Sequence, residues 1–460
     1  MLTPILNTKA KKPLYEQLYV YIRQNIESGE IKNGERLPSK RKLAEHLRVS
    51  FCTVENAYAQ LLAEGYITSA QRKGYFASSG QMPRAAKTQV QTELRQEKPL
   101  TSSLKYDLKT NAVNTEDFPY ATWTKLMREC MREDPKLLLE PIHPQGDYGL
   151  REEIARYLRA FRGVTVRAGQ ILLGAGTEYL LGLICELLHS SGFAAENPGH
   201  HKIPKILTSR KVNPLYIPMD SEGMCVDALL KTEASVAIVT PSHHFPLGTI
   251  MSIGRRRQLL QWAEGQAGRY VIEDDFDSEF RFVLKPISSL QNLNPDKVIY
   301  LNSFAKTLAP SLRIAYAVLP EALLAQYRER LMFYSCTVSA FEQHTLKAFL
   351  KDGYYERHLN RMRGIYRSRR DTLIKGLAPL EESVHISGQA AGLHLLLRAP
   401  ALLEEELVKR ALEAGVGVYP LSSYYKGERA EAHTVVVGYA GLKQEELEEA
   451  AALLVKAWRD

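Results

Sequence analysis

At 460 residues, with 45% hydrophobic and 24% charged residues, the chain has room for about three domains, or one large domain and a small companion, and wholesale disorder is excluded. Glu178 and Glu186 interrupt its richest apolar stretch, Ile171 to Leu188, so nothing offers the ~20 apolar residues of a membrane helix. The net charge of +8 is uneven: residues 1–80 hold twelve Lys/Arg against seven Asp/Glu, the balance of a polyanion-binding segment.

From Pro13, apolar residues at Leu14, Leu18, Tyr21, Ile22 and Ile26 recur at helical spacing until Gly29 closes the run. A second helix is expected over Lys40–Leu47, capped by Ser39, and a third from about Thr53 to Glu64, after a tight connection at Val49-Ser50. Two helices joined by three or four residues form a helix-turn-helix. Tyr66-Ile67-Thr68 and Tyr75-Phe76-Ala77 then flank a hairpin tip holding Arg72, Lys73 and Gly74, which makes the unit a winged helix-turn-helix. Such a unit lays its second helix in the major groove. Ser50, Thr53 and Asn56 are therefore candidates for bases or phosphates, Ser39, Lys40 and Arg41 for the backbone, and Arg72 and Lys73 for the adjacent groove.

Residues 79–104 are polar and without apolar periodicity, as in a flexible linker. Beyond them, helical patterns (Leu150–Phe161, Tyr179–His189, Arg255–Glu264, Leu323–Met332, Leu402–Glu413) alternate with strand-like runs at Gln170–Leu173, Val236–Thr240, Tyr270–Ile272, Val298–Leu301 and Ala315–Leu319. That alternation predicts an α/β sheet covered on both faces. Three units follow: a DNA-binding domain at 10–78, the linker at 79–104 and an α/β domain at 105–460. Five scattered cysteines, none in C-x-x-C spacing, argue against a disulfide framework or a zinc site; no metal is expected. With no secretory pattern ahead of Lys9, Lys11 and Lys12, a cytoplasmic location is expected.

The string Leu37-Pro38-Ser39-x-Arg41-x-Leu43-Ala44-x-x-Leu47-x-Val49-Ser50, followed by Thr53-Val54, Ala57-Tyr58, Glu64-Gly65-Tyr66 and Gly74-x-Phe76, resembles the GntR family of bacterial regulators. One position departs from that pattern. Phe51 stands where the family usually carries a DNA-contacting arginine, a loss that Arg48 or Lys40 could offset.

In the large domain, Lys306 follows the strand Val298–Leu301, at the edge where ligands of open α/β sheets collect, and a lysine there could form a Schiff base with an aldehyde cofactor. Gly174-Ala175-Gly176-Thr177-Glu178 joins a strand to a long helix whose N–H groups could cradle a phosphate. Glu273-Asp274-Asp275 closes another strand; one of these acids could pair with a pyridine nitrogen, although helix caps or a metal site are equally served by such a run. Arg313 supplies a fixed cation able to grip phosphate.

That order resembles fold-type I pyridoxal 5′-phosphate enzymes, the aspartate aminotransferase family. It is closer still to the MocR/GabR regulators, in which a GntR domain is fused to such a fold. Pro144-Gln145-Gly146, Glu196-Asn197-Pro198-Gly199, Pro241-Ser242-His243-x-Phe245-Pro246, Ser303-Phe304-x-Lys306-Thr307-Leu308 and Gly392-Leu393-His394 all look like that family's motifs. The resemblance implies a mostly parallel sheet with a small C-terminal α+β subdomain, a homodimer, operator DNA as partner and pyridoxal phosphate as cofactor. It also implies Lys306 as the Schiff-base lysine and Asp274 on the pyridine nitrogen. Gly176, Thr177, Ser303 and Arg313 would hold the phosphate, with His200 stacked on the ring and His243 near its hydroxyl side.

The departures bear on activity. Phe276 replaces a tyrosine that would bond the phenolic oxygen, Ala305 replaces a serine, and His200-His201-Lys202 stand where an aromatic residue and then an arginine are usual. For the C-terminal arginine that grips a substrate carboxylate, Arg429 in a polar loop is the nearest match. The expected function is a transcriptional regulator sensing pyridoxal phosphate or an amino compound, with weak transamination at most. The alternatives are a working aminotransferase with a vestigial or regulatory N-terminal domain, and a cofactor-free dimerisation scaffold.

Overall fold

The computed structural model describes Pro4, Leu6, Asn7 and residues 12–78, 104–110, 112–189, 192–282, 288–427 and 433–459. All of the expected linker except Leu104 lies outside the described residues, as does Arg429. The chain forms two compact units, Met1–Leu100 and Thr101–Asp460.

In the first unit, α1 (Leu14–Ser28) ends where Gly29 turns left-handed at φ 83°, a conformation that costs glycine least. Its stripe Leu18, Ile22 and Ile26 is buried. That stripe packs with Leu43 of α2 (Lys40–Leu47) and with Val54, Tyr58 and Leu61 of α3 (Phe51–Ala63). Each fully buried aliphatic side chain contributes roughly 1.5–3 kcal/mol. The helix α3 starts two residues earlier than the sequence suggests, because Ser50 accepts the Thr53 N–H (3.2 Å) and so caps Phe51 as its first residue. Behind it, β2 (Ile67–Ala70) and β3 (Gly74–Ala77) form the expected hairpin. A third strand missed from sequence, β1 (Arg36–Leu37), pairs with β3; at two residues it carries no periodicity to read.

The large unit is built on an eight-stranded sheet. Its strand order is 171–174, 315–318, 298–303, 270–274, 236–239, 192–197, 213–220, 223–224. All strands run parallel except Ala315–Val318 and the edge strand Gly223–Met224. The central strands are apolar throughout because both faces are covered. Leu172, Ile299, Leu301 and Ala317 face the helix Thr177–Leu188, while Ile171, Leu173, Tyr300 and Val318 face the helices Tyr148–Arg162 and Ala340–Lys351. Strands Gly192–Asn197, Asn213–Asp220 and Gly223–Met224, absent from the sequence reading, complete the sheet.

The C-terminal part is α+β, as the family resemblance implies. Its four-stranded antiparallel sheet runs in the order 385–387, 394–398, 434–438, 419–420 and packs on the helices Tyr354–Leu377 and Gln444–Arg459. Tyr106–Asp107 pairs in parallel with Val416–Gly417, which anchors the start of this unit against its C-terminal part. Among the described residues no helix is long and apolar enough to cross a membrane.

Candidate functional site

Parallel strands deliver their carboxyl ends to one edge of the large sheet. Ala315 pairs with Ser303 on one side and Gly174 on the other, so the glycine turn and the end of the lysine-bearing strand flank it at the same edge. Asp274 closes the neighbouring strand, paired with Leu301. A cavity of about 280 Å³ opens there. Lys306, Asp274, Gly176, Thr177, Ser303, Arg313, His200 and Phe276 all line it. His243 does not. It lies behind that wall, with Nδ1 3.0 Å from the carboxylate of Asp277, a residue that does line the cavity.

Burial lowers the Lys306 ammonium to about 8, with Lys202 adding to the shift and Asp277 opposing it. About a tenth of such an amine is unprotonated at neutral pH, against well under a thousandth for an ordinary lysine. Its Nζ donates to the Thr110 carbonyl at 3.4 Å, 196 positions away in sequence. Burial first, then Asp275, Asp277 and Glu178, push Asp274 up to about 7. Its Oδ1 is sealed from solvent without a hydrogen-bond partner among the described residues. A buried acceptor in that state calls for a donor, and a protonated ring nitrogen entering the cavity is one.

Gly176 takes φ 98°, and a Cβ there would run into the Arg313 guanidinium, so only glycine allows this approach. Arg313 Nη2 donates to the Ala175 carbonyl at 3.1 Å and to Glu178 Oε2 at 2.7 Å. The other oxygen of Glu178 takes Lys202 Nζ at 3.1 Å. Burial of Glu178 would raise its pKa, but the hydrogen bonds from Arg313, the helix N–H and Lys202 prevail and hold it at about 2. His200 is brought down to about 4 by burial and the neighbouring His201, Lys202 and Lys306, and is therefore a neutral ring in the cavity wall. Phe245 packs edge-on to His394 and Tyr424, with ring centroids 5.1 and 5.0 Å away.

Sequence reasoning passed over Glu178, Lys202, Asp277, His394 and Thr110 as lining residues. Glu178 and Lys202 adjoin motifs already singled out, so a charge count of those turns was the available signal. Thr110 had none, since it is carried to the site by pairing distant in sequence, of Tyr106–Asp107 with Val416–Gly417 and of Leu108 with Gly417 and Gly438.

In the first unit, Ser39, Arg41, Ser50, Asn56, Arg72 and Lys73 are exposed, and Lys40 and Thr53 are half-buried. Ser39 caps α2 as Ser50 caps α3. Arg72 sits at the hairpin tip with φ 62°. Lys40 is engaged within its own unit, 2.9 Å from Glu55 and over the ring of Tyr75. Arg48, the other residue weighed as an offset for Phe51, is exposed in a left-handed turn beside it.

Two family models match the chain: the gntR family of bacterial regulatory proteins over residues 14–76 and aminotransferase class I and II over 105–454. The HTH-type transcriptional regulator YdeL of Bacillus subtilis is 39% identical, with 100% of this chain and 99% of the relative covered. The HTH-type pyridoxine biosynthesis transcriptional regulator PdxR of Corynebacterium glutamicum is 31% identical over 96% of this chain and 95% of its own length. Among solved structures, LysN, an alpha-aminoadipate aminotransferase from Thermus thermophilus complexed with N-(5′-phosphopyridoxyl)-L-leucine, superposes with a TM-score of 0.66 at 25% identity. It covers 78% of this chain and 92% of that one.

Proposed function

The chain belongs to the MocR/GabR-type transcriptional regulators, which join a gntR-type DNA-binding domain to an aminotransferase-like, pyridoxal phosphate-binding domain, and we propose that pyridoxal phosphate is both its ligand and its signal. The observation that carries this reading is the sealed Asp274 Oδ1, without a hydrogen-bond partner among the described residues, in the same cavity as a lysine lowered to about 8. The pyridoxine-related name of the relative PdxR supports the choice of signal.

When bound, pyridoxal phosphate supplies an aldehyde that condenses with a primary amine and a ring that withdraws electrons from what is attached. In this reading Lys306 offers the amine, the Asp274 carboxylate accepts from the ring N–H, and His200 covers the ring as an uncharged plane. Gly176, Thr177, Ser303 and Arg313 hold the phosphate, and Asp277 holds His243 outside the cavity lining. Phe276 and Ala305 place no hydroxyl beside the lysine, so proton movement there is poorly controlled and transamination is weak at most. That favours a sensor over a working aminotransferase.

The DNA-binding domain of 10–78 then reads an operator through Ser50, Thr53 and Asn56, with Ser39, Lys40, Arg41, Arg72 and Lys73 on phosphates. The linker of 79–104 joins it to the sensor domain of 105–460, and a cytoplasmic homodimer presents two such modules to paired half-sites. Ligand acts by binding one arrangement of the protein better than another. To test the site, the protein is incubated with pyridoxal phosphate, reduced with borohydride and digested. The label is expected on the Lys306 peptide and lost completely in Lys306→Ala; label retained in the variant sinks the assignment.

A further inference from the structure

Resting on the cofactor reading above, we propose that Glu178 is a resident anion in the phosphate subsite: it competes with the ligand's phosphate for Arg313 and Lys202 and so holds ligand affinity below what the cavity would otherwise give. Glu178 is the second residue of the helix Thr177–Leu188, whose N-terminal end favours negative charge. Its two oxygens are divided between the two cations, 2.7 Å from Arg313 Nη2 and 3.1 Å from Lys202 Nζ. The guanidinium nitrogen it takes is the one that also bonds the Ala175 carbonyl, at the face of Arg313 turned to the glycine turn. Two cations lining the subsite, Arg313 and Lys202, are thus already engaged by an anion.

Glu178 stays ionised throughout the physiological range, because its carboxyl is held at about 2. An entering phosphate therefore either displaces it or sits beside a like charge, and both weaken binding. Apparent affinity is the intrinsic affinity reduced by the fraction of chains in which the ion pairs are open. For a regulator this is useful: occupancy can follow the ligand's concentration where a subsite with unopposed cations would stay filled. Lys202 begins the helix Lys202–Ser209, two residues after His200 in the cavity wall, so opening the pair frees that wall as well.

The full-length chain is titrated with pyridoxal phosphate and, in parallel, with pyridoxal, which lacks the phosphate, following protein fluorescence and visible absorbance. Glu178→Gln keeps the side chain's shape and removes its charge. It is expected to tighten pyridoxal phosphate about tenfold while leaving pyridoxal within about twofold, and to lower the concentration of inorganic phosphate needed to compete. Glu178→Ala reaches the same ratio by a second route. Equal changes for both ligands, unchanged affinity, or weaker pyridoxal phosphate binding in both variants overturns the proposal, the last by making Glu178 the support that holds Arg313 in place. A wild-type chain that binds no pyridoxal phosphate overturns the cofactor reading itself.

Discussion

In the N-terminal unit Arg41, Arg72 and Lys73 stand exposed, whereas in the large unit Arg313 and Lys202 share Glu178, His243 faces Asp277, and Arg162 is sealed against Asp275 at 3.0 Å. Water and salt screen the first set, which suits a long-range pull on a polyanion whose strength depends on ionic strength. The second set works at contact distance: the Arg162–Asp275 and His243–Asp277 pairs are buried, while Arg313 and Lys202, with side chains 48% and 52% exposed, are tied to Glu178, and in each case the partner limits what else the group can do. Surface charge in this protein is additive and legible; cavity charge is a matter of who has been paired with whom.

Breaking the buried set has the largest expected effect. Arg162→Met leaves Asp275 buried beside Ser278 and Tyr300 without its cation, and should lower the stability of the large unit by about 3–5 kcal/mol in chemical denaturation. Adding Asp275→Leu should recover most of that loss, and a single variant within about 1 kcal/mol of wild type would remove the pair from the contrast.

Asp274 gives a second, pH-dependent test. Its folded-state pKa of about 7 lies above its ordinary 3.8, so the ligand-free fold holds that proton more tightly than the unfolded chain does. Its penalty is absent below about pH 4, grows between about pH 4 and 7 and is complete above. Asp274→Asn should therefore stabilise the ligand-free protein at pH 8 by roughly 2–4 kcal/mol, with little change at pH 4. It should also weaken pyridoxal phosphate binding at least tenfold. A variant no more stable at pH 8 than at pH 4, relative to wild type, would show that the acid is better solvated than its burial suggests.

The smallest effect belongs to the exposed set. Arg72→Ala should reduce the slope of log operator affinity against log salt by about one, uniformly across operator sequences. Lys40→Ala should change it less, because Glu55 already holds that ammonium at 2.9 Å. Equal slopes for the two variants would erase the difference between a solvated and an engaged cation.

Local periodicity made the DNA-binding unit legible. Its helices carry i, i+4 stripes, Ser39 and Ser50 sit where caps belong, and Gly29 ends a helix in a conformation glycine tolerates best. Residue type at strand ends singled out Lys306, a glycine turn, an acidic run and Arg313 as candidates, and the choice of Asp274 within that run came from the family resemblance; the structure lines one cavity with Lys306, Asp274, Gly176 and Arg313. Three strands of the main sheet were not legible, the two-residue Gly223–Met224 among them. Of the two longer ones, Gly192–Asn197 has small residues at Gly192, Ala194 and Ala195 and ends on polar Glu196 and Asn197, and Asn213–Asp220 contains two prolines, so neither shows a strand-like run before its neighbours are in place.

The sequence by itself determined the two-part organisation, the order of motifs and the cofactor chemistry, because helix stripes, caps and strand-end residues are written within a few positions of each other. Only the tertiary structure decided that Ala315–Val318 runs against its neighbours and so has Gly174 and Ser303 on its two sides. It alone brought Thr110 to Lys306, withdrew His243 behind Asp277 and gave Arg313 and Lys202 to Glu178. Those outcomes depend on which residues distant in sequence the fold brings together, and a partner held at contact distance determines what else a charge can bind.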